Sequence, residues 1–289
     1  MPRMFDLIAR GKARTSRDRL KPLQAAIPIV ADNVAQYLWA DTPDLSDDEP
    51  LVGGQLDWND YPNLRPPFDN YFVEWVSPFE AMQKTAKWHG VHIAAVRNRA
   101  IPSGNVLLRC ELYFTDSERH NSHVAGPAFS YEVEVAEDGT CVRAEVVGQF
   151  LRGGDDENIA AGQRGYMNLM RPAFLATSFM HCRNIAINVV APPPKLAKAA
   201  RKRHGVPLVR FRTINIEPMR QVLRTEGRSH ETGIKRALHI CRGHFRTYSE
   251  EKPLFGRVSG TFFIPAHARG SASEGVVVPQ YAVDVPDTR

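Results

Sequence analysis

The sequence predicts an α+β fold, antiparallel sheets with packed helices, on three observations. Between residues 58 and 147 short extended runs (FVEWVS, VHIAAVRN, NVLLRCELYF, SYEVEV and CVRAEVV) are separated by Pro, Gly, Asn and Asp, the pattern of an antiparallel meander. Two stretches, near 16–40 and 156–182, repeat apolar residues every three or four positions, the spacing of one helix face. A second group of extended runs lies between 185 and 284. At 289 residues the chain has ample length for a hydrophobic core and exceeds the usual size of one domain. The pattern divides it into an N-terminal helical segment with an acidic linker (1–50), a meander plus helix (51–184) and a basic β-rich region (185–289).

In chain order, Ser16 can cap a helix whose stripe is Leu20, Leu23, Ile27, Val30, Val34 and Leu38. Pro22 fits its first turn, and Pro28 is expected to split or kink it. DTPDLSDDEP then reads as a solvated acidic linker. Within the meander the turn Glu137-Asp138-Gly139-Thr140 is the clearest hairpin signal, because Asp-Gly supplies the positive φ angles that a tight turn needs. Asp57, Asp60, Asp69, Glu74 and Glu111 lack the tight spacing of metal ligands and read as solvated strand ends. Met167, Leu169, Met170, Phe174, Leu175, Phe179 and Met180 mark a core helix interrupted by Pro172. CRNIAINVVAPPPKLAKAARKRHG reads as strand, Pro-rich bend and short basic helix, and PLVRFRTINI as a strand with Arg210 and Arg212 on one face. RQVLRTEGRSHETGIK is polar, and GVVVPQYAV closes the fold as a late strand.

The longest apolar segments, such as IAINVVAPPP, are far shorter than the roughly 20 residues that cross a bilayer. The opening MPRMFDLIARGKARTSRDR has no signal-peptide apolar core, so a cytoplasmic protein with no membrane partner is expected. Cys110, Cys141, Cys182 and Cys241 lie far apart, which disfavours a disulfide scaffold or zinc ribbon and points to buried reduced thiols. Neither GQRGYMN nor LVGGQ completes a phosphate-loop or dinucleotide fingerprint, and no cofactor is expected.

Net charge of +5 conceals an asymmetry: residues 1–194 hold 19 Lys+Arg against 24 Asp+Glu, and residues 195–289 hold 18 against 8. A basic C-terminal third suits an anionic partner, RNA or DNA or a nucleotide phosphate, through Coulombic attraction and counterion release. The nucleic-acid-binding residues read from it are Lys195, Lys198, Arg201, Lys202, Arg203, Arg210 and Arg212. A solvated face, or packing against the acidic first half, would explain the same run.

Basic, imidazole and aromatic groups concentrate in HICRGHFRTYSEEKPLFGRVSGTFFIPAHARG, residues 239–270. Two β-like runs, 236–241 and 258–264, flank the loop SEEKPLFG and read as the two strands of a hairpin. Such a pairing brings the Arg-Gly-His after the first strand and the Pro-Ala-His-Ala-Arg-Gly after the second to one end of the sheet. Metal-free phosphodiester cleavage needs a base, an acid and a cation over the charge on phosphorus oxygens. His244 and His267 are the candidate catalytic pair, with Arg242, Arg246, Arg269 and Tyr248 holding the phosphate. Hydrogen bonding within the hairpin would occupy the same histidines without catalysis. His239, Cys241, His244 and His267 are metal-ligand types, but their spacing matches no zinc pattern, and no metal is expected.

FMHCRNIAINVVAPPPKLAKAARKRHGVPLVRFRTINI, the histidine-rich stretch above and, less strongly, RPPFDNYFVEW resemble a recurrent family of uncharacterised phage, prophage and mobile-element proteins. That family carries an Asn-rich strand, a basic bend, Arg-Gly-His-aromatic and then Pro-His-x-Arg-Gly. Phe245 stands where the family often has Trp, whereas His267 and Arg269 match. The resemblance implies origin and a shared motif, not a chemistry. Three functional classes stay open: a phosphate-directed, ribonuclease-like enzyme, a non-catalytic nucleic-acid-binding protein, and a phage protein that binds a host protein through its acidic half.

Overall fold

The computed structural model describes residues 3–40, 58–77, 87–96, 101–102, 104–115, 120, 122–149, 156–216, 237–241, 243–265, 267–269 and 271–277. The elements are α1 (Met4–Ala9), β1 (Ala13–Arg14), α2 (Arg17–Gln24), β2 (Ile27–Val30), α3 (Asp32–Ala40), a 3-10 turn (Trp58–Asp60), β3 (Asn70–Val76), β4 (Trp88–Ala95), β5 (Val106–Thr115), β6 (Val124–Val135) and β7 (Cys141–Gln149). They continue with α4 (Asp156–Phe179), β8 (Ile185–Val190), α5 (Pro194–His204), β9 (Phe211–Ile216), β10 (Ala237–Cys241), β11 (His244–Tyr248), β12 (Gly260–Ile264), β13 (His267–Arg269) and β14 (Ser271–Val277). The chain forms two compact units, Met1–Asn215 and Ile216–Arg289. The acidic linker and the polar segment 220–235 lie outside the described residues. Among the described residues no helix is long and apolar enough to cross a membrane.

The first unit is built on a nine-stranded sheet in the order β1-β6-β5-β4-β3-β2-β9-β8, with β7 also paired to β6. Strands β3 to β7 pair antiparallel with their sequence neighbours, as the alternating runs predict. At the β6–β7 turn Gly139 adopts φ +95°, and a Cβ there would collide with Asn63. Asp138 completes the turn by accepting from the Thr140 backbone N–H at 2.9 Å.

One expectation is corrected. The stripe over 16–40 predicts a helix that Pro28 splits or kinks; the structure does divide there, but into α2, then strand β2, then α3, so residues 27–30 are strand and not helix. Ile27-Pro28-Ile29-Val30 runs parallel to β3, from Ile27 opposite Tyr71 to Val30 opposite Glu74, and parallel to β9 only at Ile29 and Val30. Pro28, which has no N–H to donate, precedes the β9 pairing. The strands of 185–216 also join this sheet instead of grouping with those that follow.

Both faces of the sheet centre are covered, so β3 has a fully buried interior, Tyr71 to Trp75. Phe72 packs in a core with Met4, Phe5, Leu7 and Ile8 of α1 and Leu23 of α2. On the other face the Tyr71 hydroxyl meets Thr177 Oγ1 of α4 at 2.9 Å. α4 is pinned further by Phe174 against Trp58 (5.1 Å between centroids) and by Ser178 Oγ donating to the Asn63 carbonyl at 3.0 Å. Cys110 and Cys182 are buried, Cys141 is half-buried, and all three are free thiols.

A further correction concerns the acids. Glu74 and Glu111, read as solvated strand ends, are 1% and 4% exposed. Each alternates onto the face under α1 and α2, where an arginine meets it: Arg3 Nε at 2.7 Å from Glu74 and Arg19 Nε at 3.1 Å from Glu111. A buried carboxylate without such a partner would be strongly destabilising. Asp69 and Asp60 are exposed, and Asp57 lies outside the described residues.

In the second unit β11 pairs antiparallel with β12, from His244 opposite Ile264 to Tyr248 opposite Gly260. β10 pairs not with β12, as the sequence suggests, but with β13, His239 opposite Arg269 and Cys241 opposite His267. β14 lies parallel on the other side of β10. Both antiparallel ladders keep the same register, so they follow one another along an interrupted hairpin. The expected loop holds, but the first strand of the inner pair begins at His244, after Arg-Gly. Phe262 and Val258 are buried with Tyr248 and Leu254 against them, and Phe245 packs on Phe263 at 5.2 Å.

Candidate functional site

The basic helix predicted over 194–204 forms as α5. Pro194 opens it at a position where its missing N–H costs nothing, and Gly205 closes it at φ +78°. Its last turn carries Arg201, Lys202, Arg203 and His204, which complement the partial negative charge of a helix C-terminus. The helix is two-sided. Leu196, Ala199, Ala200, Arg203 and His204, spaced three and four apart, line a cleft of about 780 Å³, whereas Lys195, Lys198, Arg201 and Lys202 are exposed away from that lining.

The opposite wall comes from the end of α1. There the Lys12 N–H donates to the Leu7 carbonyl and the Gly11 N–H to the Ile8 carbonyl, both at 2.9 Å, with Gly11 at φ +71°. This left-handed helix ending reverses the chain and sets Arg10 and Lys12 on either side of the glycine, both lining the cleft. α1 and the approach to β9 are joined where Asp6 Oδ1 accepts from the Val209 N–H at 3.0 Å. Lys87, Trp88, His120, Ser122, Leu7 and Leu208 complete the lining. The Lys87 ammonium sits 4.9 Å from the Trp88 ring centroid.

Among the lining residues are four permanent cations, Arg10, Lys12, Lys87 and Arg203, two histidines and no carboxylate. Arg10 Nε is buried without a hydrogen-bond partner. Partial desolvation, then the charges of Arg10, Arg203 and Lys12, hold the His204 imidazole below its ordinary pKa. Such a cleft favours an anion, because each bound negative charge relieves repulsion among cations already held together by the fold.

The other predicted groups stand as follows. Arg210 is exposed just before β9, and the Arg212 guanidinium lies 4.9 Å from the Phe68 ring centroid. His244 and Arg246 are exposed on β11; the Arg246 guanidinium lies 5.0 Å from the centroid of the Tyr248 ring, which also packs edge-on against Phe262. His267 and Arg269 are backbone positions of β13, in a different sheet from His244, and Arg242 lies outside the described residues. Among the described residues no three His, Cys, Asp or Glu side chains gather as a metal-ion donor set.

Of the cleft, sequence reasoning found only Arg203. Arg10, Lys12, Lys87, Trp88 and His120 are hidden by the acidic total of residues 1–194, and His204 by its place at the end of a run read only for its lysines and arginines. Residues 10–21 contain six Lys+Arg and one Asp, and Arg10-Gly11-Lys12 repeats the Arg-Gly pairing noted at 242 and 269. No protein-family model, no curated protein and no solved structure matches this chain.

Proposed function

We propose that this α+β protein, akin to a phage and mobile-element family, binds RNA or DNA through the basic surface centred on α5. The observation that supports it most is the two-sided charge of α5. Its outer face presents Lys195, Lys198, Arg201 and Lys202 to solvent, and its inner face adds Arg203 to a cleft already lined by Arg10, Lys12 and Lys87 without an opposing acid. Phosphate contacts of this kind set affinity and orientation without reading sequence. Arg210 extends the surface, while Arg212, occupied with Phe68, contributes less.

The test is binding of labelled single-stranded RNA and DNA across a salt series, for the wild type and for Lys195→Glu/Lys198→Glu/Lys202→Glu. Log affinity is expected to fall linearly with log salt, and each lost phosphate contact lowers the slope by roughly 0.7. Absence of binding at low salt, or an affinity indifferent to the three reversals, refutes the reading. Metal-independent cleavage by His244 and His267 is a separate proposal, whose supporting observation is the shared register of the two hairpin ladders.

A further inference from the structure

Beside its cations the α1–α5 cleft has an apolar wall, which a site for phosphate alone would not need. Leu196, an apolar side chain on an 11-residue helix of basic character, is 56% exposed, and it lines the cleft with Ala199 and Leu208. The volume of about 780 Å³ falls in the range of small-ligand sites. Arg10 lines the cleft, and its Nε is buried with no hydrogen-bond partner in the protein, so this guanidinium is not committed to a carboxylate there.

We propose that this cleft takes one nucleotide, its phosphate on Arg10, Lys12 and Arg203 and its base against Leu196, Ala199 and Leu208. The proposal rests on the reading of a phosphate-directed protein and narrows it to a single-nucleotide pocket. The nucleotide is either free or the 5′-phosphorylated end of a strand; the chemistry of recognition is the same. Arginine forks the phosphate oxygens, the lysine adds charge, and the apolar wall removes one side of the base from water.

Calorimetric titration with AMP, GMP, CMP and UMP, with adenosine and with inorganic phosphate tests the pocket. At least one nucleotide is expected to bind on the order of tenfold more tightly than either adenosine or phosphate, since both halves contribute. Arg10→Gln and Arg203→Gln are each expected to remove about tenfold of that affinity, as loss of a charge-assisted hydrogen bond does. Leu196→Asp, at an exposed position that tolerates substitution, places a negative charge in the cleft and should abolish nucleotide binding even if the arginine variants fold poorly. A second arm compares 5′-phosphorylated with 5′-hydroxyl oligonucleotides. A gain from the 5′-phosphate that Arg10→Gln removes identifies strand ends as the source, and nucleotide binding without that gain identifies free nucleotides. No nucleotide exceeding inorganic phosphate, together with no 5′-phosphate gain, overturns the proposal, as do wild-type affinities in all three variants. The triple reversal on the outer face of α5 leaves every residue of the cleft lining unaltered, so nucleotide binding is expected to persist in it. Failure of strand binding therefore remains separable from failure of the pocket.

Discussion

Arg3 Nε donates to Glu74 Oε1 at 2.7 Å while its Nη2 donates to Asp32 Oδ2 at 2.6 Å, so one guanidinium ties the first helix to the sheet centre and to α3. The second Glu74 oxygen accepts from the Phe5 N–H at 2.8 Å. Burial outweighs these partners and pushes the Glu74 carboxyl from 4.5 up to about 7. Because the folded value lies above the unfolded one, the folded state keeps a proton that the unfolded chain has released. This group's contribution to stability therefore falls as pH rises from 4.5 to about 7. Glu74→Gln is expected to flatten that part of the urea-denaturation profile. Arg3→Ala, which leaves the carboxyl buried and unpaired, is expected to cost about 3 kcal/mol near neutral pH, read from the same titrations.

Gly90 on β4 is a steric requirement. A Cβ there would meet the Phe72 ring, with Cε1 at 2.6 Å, and Phe72 is fully buried in the α1 core. Gly90→Ala is expected to destabilise by about 1–3 kcal/mol through overpacking. In a double variant Phe72→Leu should recover part of that loss; equal, additive losses would show that the two side chains do not conflict.

His204 couples the cleft to pH. Its folded pKa is below the ordinary 6.5, so the unfolded chain takes up a proton first and stability falls as pH drops through that range. A bound anion opposes Arg10, Arg203 and Lys12, raises the imidazole pKa and reverses the penalty. The rise in Tm on adding inorganic phosphate is expected to be larger at about pH 5.5 than at about pH 7.5, and His204→Gln should remove the difference.

The hairpin histidines carry a separate test. His267 follows the His244 partner, Ile264, by three positions in sequence, and the two histidines belong to separate ladders that keep one register. Under the proposed pairing of His244 with His267, incubation with mixed RNA and single-stranded DNA is expected to give cleavage that survives chelator in the wild type and is lost in both His244→Ala and His267→Ala. Binding without cleavage in all three proteins would reject the acid–base pair.

Local patterns carried much of this fold. The meander was legible because each strand of β3 to β7 alternates or runs apolar between turn residues, and its partners are its neighbours in sequence. α4 and the basic helix α5 were legible because spacing, Pro and Gly mark their faces and ends. What needed tertiary structure was every feature set by distant partners. Ile27-Pro28-Ile29-Val30 fits a helical stripe as well as a strand, and only β3 and β9 on its two sides decide for the strand. Glu74 and Glu111 look like surface acids until Arg3 and Arg19 meet them in the core. The cleft draws on residues near 7–12, 87–88, 120–122 and 196–208, and no sequence window contains it. Their charges lie far apart along the chain and act together only after the Asp6–Val209 contact and the packing of α1 have brought them to one place, because Coulombic forces depend on distance in space.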